Sequence, residues 1–396
     1  MDRLPHLGQR IRRARTRTHR NQAAIAGLCG IQTDYLSQIE RGLRTPSLEL
    51  LIALARELGV PTSQLLGEAE APRRPFAPCI ASDVVAALLE GGSGGTSADP
   101  RELRVRVDRA WDLWQTASDR YTQLGLVLPQ LVRDVEATLR ALHAPGDVGL
   151  RRCVLRGAAD IYNLLRSYCR RAGRSDLSLM VGDRALRAAE EAEDPGRIAA
   201  AHWNLSHVLL GSGQSDSAEH VARQGIARLG LCERSRAETA LVGALELVVA
   251  VSFSRRRRWW DARAALDTAE GHATQAGEGN THRTVFGPTN VALHRLSVEM
   301  EAGETAIALQ VADSLDLTHL PSIERRLTFA VDVARCYHRR REDVATLVTL
   351  IELQRDAPED LARMPEIREM AERVAERVTG PYKRQARGLV DRLSPR

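Results

Sequence analysis

The sequence predicts an all-α protein, a small five-helix head followed by a long array of antiparallel helices. Three observations predict it. Hydrophobic residues make up 43% of the 396 and aromatics only 4%. A large core must then be assembled from Ala, Leu and Val, which favours helix on helix over sheets of aromatic and β-branched strands. Helical periodicity with short turns runs from Leu4 to Leu66. Beyond Asp99, helical segments alternate with tight turns at Gly173, Gly213, Arg257, Gly303 and Arg341, about 40 residues apart, with no strand signal between them.

The head spans residues 7–66. Its first helix, Leu7 to Arg17, places Leu7, Ile11 and Ala14 on one face. The second, Asn21 to Cys29, turns Ile25 and Leu28 inward and sets the small Ala26 where the next helix crosses. Gly30 supplies a left-handed turn residue, and Ile31 plugs the corner. The third helix, Thr33 to Arg41, buries Leu36 and Ile39 and points Thr33, Asp34, Ser37 and Gln38 outward; Gly42 ends it. Thr45-Pro46-Ser47 starts a fourth with a cap and a proline in the first turn. Leu48, Leu51, Leu54 and Leu58 close the core, and Val60 and Leu65 extend it.

Charge marks the same segment. Residues 1–67 hold ten Arg and five acidic residues, a net of +5 that equals the net charge of the whole chain. The remainder is therefore balanced, and the excess arginine lies where a phosphate-bearing partner would use it. A solvated basic surface is the alternative reading of the charge alone.

On these residues the head resembles the Xre family, the phage repressor and Cro-like helix-turn-helix. The stretch Ile31…Tyr35-Leu36-Ser37-Gln38-Ile39-Glu40-Arg41-Gly42…Thr45-Pro46-Ser47-Leu48 carries the resemblance. It implies a repressor-like DNA-binding domain whose Asn21, Gln22, Arg41 and Arg44 hold phosphates and whose Thr33, Asp34, Ser37 and Gln38 face base edges. Arg15 and Glu40 match a pair that ties the first helix to the recognition helix, which makes Glu40 structural. Gln32 stands among the DNA-facing residues where the family has a capping Ser or Thr, so Thr33 is expected to take over the cap. His19-Arg20 also departs from the family, which has a small residue and then leucine. Asp34 repels phosphate but accepts from a cytosine amino group.

Residues 67–98 read as a linker. Ala71 to Pro78 holds three prolines, Ser82–Glu90 forms a short apolar helix, and Gly91-Gly-Ser-Gly-Gly95 forms a second flexible joint. The last of these matches the letters of a nucleophile elbow, but no strand precedes it. Residues 99–396 form the array. Within it, 199–228 resembles a tetratricopeptide (TPR) repeat: Ser206, Ala218 and Gly225 let two helices approach, and Gly213 turns the chain. The whole chain resembles actinobacterial-type regulators that join an Xre-like head to a TPR-like sensor body, with Phe286 to Arg295 as a shared stretch. Peptide-pheromone receptors are a more distant analogue. This resemblance implies a concave groove for a peptide or small-molecule effector and dimerisation along the solenoid. Trp203 and His207 fall on the concave face, where they contact a ligand or serve the core. Asn290, His294 and Arg295 follow a Gly-rich loop, 277–287, long enough for a lid. Arg255–Arg258, followed by Trp259-Trp260, reads either as a site for an anion or nucleic acid or, the favoured reading, as a charged inter-helix turn with Trp packed underneath.

Other classes lack support in the sequence. No apolar stretch reads as a membrane span or signal core, and the six cysteines form no C-x-x-C pair or zinc spacing. The expectation is a cytoplasmic protein without cofactor or metal, with mostly buried, reduced cysteines. No constellation of nucleophile, carboxylates or metal ligands points to an enzyme. Two readings remain: a ligand-responsive regulator that binds near-palindromic double-stranded DNA as a homodimer, or a DNA-binding protein whose solenoid docks another protein.

Overall fold

The computed structural model describes residues 7–18, 20–44, 46–60, 62, 65, 82–142, 144–230, 235–317, 320 and 322–393. The chain divides into two compact units, residues 1–77 and 78–396, and each is built around its own core.

The head contains α1 (Leu7–Arg17), α2 (Gln22–Leu28), α3 (Thr33–Glu40) and α4 (Leu48–Glu57). The expected fifth helix falls at 61–66, mostly outside the described residues. Ile11, Ile25, Leu36, Ile39, Leu51, Leu54, Leu58 and Leu65 form one core. Gly8 is buried where α1 crosses α3, and a Cβ there would meet the Ile39 carbonyl oxygen at 2.1 Å, so only glycine permits the crossing. Two expectations need correction. Leu28 ends α2 and is 57% exposed, because Ile25 and Ala26 already fill the inward face. Pro46 is buried ahead of the cap, and it is Ser47 that accepts from the Leu50 amide. With Leu43 and Ile52 also exposed, the head carries more open apolar surface than its sequence suggests.

The body begins with α5 (Ser82–Leu89), α6 (Pro100–Thr116) and α7 (Arg120–Ala141). Four helix pairs follow: α8 (Val148–Arg171) with α9 (Ser175–Glu191), α10 (Pro195–Gly211) with α11 (Ser215–Arg228), α12 (Arg236–Arg255) with α13 (Trp259–Ala276), and α14 (Pro288–Ala302) with α15 (Thr305–Asp313). It ends with α16 (Ile323–Arg339), α17 (Asp343–Asp356), α18 (Pro358–Leu361), α19 (Pro365–Arg377) and α20 (Pro381–Leu393). No strand occurs among the described residues.

The hairpin turns share one chemistry. Gly173, Gly213, Arg257, Gly303 and Arg341 all lie in the left-handed region. After each, an amide bonds back to the last turn of the preceding helix at 2.9 Å: Arg174 to Cys169, Gln214 to Leu209, Arg258 to Phe253, Glu304 to Glu299 and Glu342 to Tyr337. These bonds satisfy carbonyls that a helix end otherwise leaves open. Arg257 and Arg341 adopt the conformation despite their Cβ atoms, at a cost of about 1–2 kcal/mol each.

Four body segments differ from the sequence reading. Helix α5 belongs to the body core, with Val84, Ala87 and Leu88 fully buried. The glycine run after it is packed rather than flexible: a Cβ on Gly95 would strike the Arg133 carbonyl at 2.2 Å, and one on Gly92 the Ala137 amide at 2.7 Å. Helix α12 is long and apolar enough to cross a membrane by composition, but 78% of its apolar window is buried in the body. Trp260, finally, is 83% exposed rather than packed beneath the arginine turn.

The first helices of the four pairs (α8, α10, α12 and α14) and then α16 pack side by side, and the row curves until its ends meet. Arg171 of α8 reaches Glu324 of α16 at 2.5 Å, and Arg120 of α7 reaches Asp360 of α18 at 2.5 Å. The 277–287 loop crosses to α6, where Arg283 pairs with Asp108 and Asp112 and Asn280 bonds Gln115. Its anchor Phe286 is fully buried against Gly243, where any side chain would collide with the ring. The expected lid is thus pinned at both ends.

Candidate functional site

Helix α3 presents the outer face of the head. Leu36, Ile39 and Glu40 are buried, so the helical period leaves Thr33 and Asp34 exposed and Ser37 and Gln38 half-buried on the opposite side. Gln32 sits at the N-cap, exposed and without a side-chain cap bond, and Thr33 shows no capping bond in its place. The first amides of α3 are consequently left open at the end of a helix dipole that favours anions. Arg41 and Arg44 are both exposed; Arg41 Nε donates to the Ser37 carbonyl at 3.3 Å, and the Arg44 guanidinium lies 6.0 Å from the Tyr35 ring centre. Arg12, Arg13 and Arg17 extend the basic surface along α1 beside Gln9 and Thr16. The motif itself did not single these three out.

Behind that face, Arg15 and Gln22, both half-buried, form one network around the buried Glu40. Arg15 Nε and Nη2 donate to the two Glu40 oxygens at 2.6 and 3.0 Å, and Gln22 Nε2 donates to Oε2 at 2.7 Å. The Glu40 hydrogen bond raises the Arg15 pKa above its ordinary value. Arg15 Nη1 also holds the Arg20 carbonyl at 2.9 Å, which fixes the turn into α2. Gln22 shares its amide with Glu40, leaving one N–H for any phosphate. Asn21 caps α2 through Ala24 N at 2.8 Å.

The body residues singled out from the sequence separate into two groups. His207 and His294 come together beside Arg166, Arg170 and Arg325, whose charges add to burial in holding the His207 pKa well below its ordinary value. His294 is pushed down to about 3 by burial and by Arg325. Asn290 is 1% exposed one turn before His294; its backbone oxygen lies 2.8 Å from His294 Nδ1 and its side-chain oxygen has no partner. Trp203 belongs to the core and meets His207 edge-on at 4.5 Å, so it backs the histidine. Arg295 is held elsewhere, by Asp267 and Glu270 at 2.9 Å. The arginines of the interior carried no local signal in the sequence. Among the described residues no group of side chains suits a metal ion, and the thiols Cys29, Cys153, Cys169 and Cys336 are free, Cys153 being exposed.

Comparison with known proteins matches residues 11–65 to the helix-turn-helix family. No curated protein matches the chain. Among solved structures it is similar to Bacillus thuringiensis PlcR in complex with the peptide PapR7 and DNA, at 10% identity and a TM-score of 0.32, covering 86% of this chain and 99% of that one. The chain carries an N-terminal helix-turn-helix domain at residues 11–65, followed by an all-α body of helical hairpins.

Proposed function

We propose that the protein is a cytoplasmic, sequence-specific transcription regulator that binds DNA as a homodimer and whose body takes an effector. The observation that carries this is the outer face of α3: four polar side chains, Thr33, Asp34, Ser37 and Gln38, flanked by exposed Arg41 and Arg44 on the unit that holds the excess positive charge. Such a helix enters a major groove with its side chains on base edges while the arginines fix its register on phosphates. The protein acts by binding and is assigned no catalysis.

Replacing Gln38 with Ala is expected to cost about 1–3 kcal/mol on the preferred site and nothing on random DNA. Arg41→Ala and Arg44→Ala weaken all sequences alike and flatten the salt dependence by about one unit per contact. Titration of selected and random duplexes over a range of salt concentrations checks both. Unchanged specificity in Gln38→Ala would place base readout elsewhere.

A head of this size reads only a few base pairs, so two copies on a near-palindrome supply the missing specificity. Pairing is assigned to the body, and light scattering should show a dimer for both the full chain and residues 78–396. A monomeric body fragment beside a dimeric full chain moves the interface to the head, where Leu28, Leu43 and Ile52 lie open.

A further inference from the structure

The interior of the body concentrates positive charge that its own residues do not balance. Arg166 and Arg170 lie on one face of α8 with Asn163, at the i, i+3, i+7 spacing. The Arg166 chain passes Gly182 of α9, and Arg170 passes Gly211 of α10. Two carboxylates answer the five guanidinium groups gathered there. Asp360 takes Arg120, and Glu324 takes Arg171 at 2.5 Å and Arg170 at 3.3 Å. Burial alone would raise the Glu324 carboxyl, but Arg171, Arg120 and Arg170 hold it well below its usual range.

Arg166 and Arg325 are left over. Arg166 is 3% exposed and its Nε has no partner, Arg325 is half-buried, and the charge of Glu324, already paired with Arg170 and Arg171, is the one carboxylate charge felt by both. Burial and the neighbouring Arg170 pull the Arg166 pKa down to about 9, so it stays cationic at neutral pH. His207 and His294 lie close enough to these arginines that Arg325 acts on both, and burial with that charge holds both rings neutral. Nε of Arg166, Nε of Arg170 and the side-chain oxygens of Asn163 and Asn290 are buried without a partner. A folded chain seldom leaves a charge and several polar atoms buried and unanswered unless something else answers them.

We propose that this interior binds a small molecule carrying an anionic group, a carboxylate or a phosphate, together with at least one N–H or O–H donor. Arg166 and Arg325 take the anion and His207 can donate one ring N–H to it, whereas His294, whose Nδ1–H goes to the Asn290 carbonyl, offers Nε2 as an acceptor and joins the oxygens of Asn163 and Asn290 in accepting from the donor. The assignment rests on reading the body as the effector-binding part.

Thermal unfolding of the full-length protein tests it, with inorganic phosphate, citrate or L-glutamate titrated against sodium chloride of equal ionic strength. At least one anion should raise the midpoint saturably above the salt control. Arg166→Met should abolish that rise while leaving the ligand-free midpoint equal to or above the wild type, because an unbalanced buried charge has been replaced by an apolar chain. Half-buried Arg325→Met gives the same loss and decides the matter if Arg166→Met does not fold. No response to any of the three anions, or responses retained in both variants, overturns the site. Operator affinity measured alongside separates the two readings. A saturable anion response that leaves DNA binding unchanged keeps the site and removes its effector role, whereas intact DNA binding with no anion response removes the site and keeps the regulator.

Discussion

Asp360→Ala should destabilise the body by about 3–5 kcal/mol, the loss expected when one partner of a buried ion pair is removed. Arg120 is fully buried. Its Nη2 donates to Asp360 Oδ1, its Nη1 donates to the Trp114 carbonyl at 3.1 Å, and its guanidinium lies 4.1 Å from the Trp114 ring centre. Tyr121 Oη donates to the same carboxylate oxygen at 3.1 Å. Without the carboxylate, Arg120 keeps only the Trp114 carbonyl and loses its counter-charge, and the Tyr121 phenol is left without an acceptor. Asp360→Asn should lose less, since it keeps the acceptor and gives up only the charge. All five tryptophans (Trp111, Trp114, Trp203, Trp259 and Trp260) lie in the body, so their fluorescence during urea unfolding follows this unit alone. A loss below about 1 kcal/mol would show that α7 and α18 are held together by other contacts.

Glu40→Ala should cost the head about 2–3 kcal/mol and lower its DNA affinity as well. The Glu40 side chain is 2% exposed and accepts from three donors, and hydrogen bonds to a buried charge are among the stronger ones. Arg15 is 14% exposed and keeps its bond to the Arg20 carbonyl, so part of the lost pairing is made good by water. Glu40→Gln retains two acceptor–donor contacts and should recover much of the folding loss. Hydrogen exchange across residues 7–60, read beside duplex affinity, separates orientation of α3 from direct contact. Lower affinity with unchanged protection would reassign Glu40 to the DNA surface.

The sequence by itself determined what depends on neighbours a few residues away. The spacing of Ile25, Leu36 and Ile39 marked the head helices, and a glycine or arginine at each hairpin turn marked the end of a helix, because periodicity and left-handed caps are local properties. It was weaker where one residue type has two uses. Gly92 and Gly95 read as a joint, yet they are there to let backbones touch. Leu28 and Trp260 read as buried, although a helix end or first turn has no neighbour to cover them. Only the tertiary structure decided which charges meet. Glu324 lies 153 positions from Arg171, and Asp360 lies 240 from Arg120. Whether such groups face each other depends on the summed rotation of every hairpin between them, which no local pattern encodes. The same summation gathers Arg166, Arg170, Arg325, His207 and His294 around one interior space, drawing together residues that stand in the sequence as unrelated positions on four separate helices.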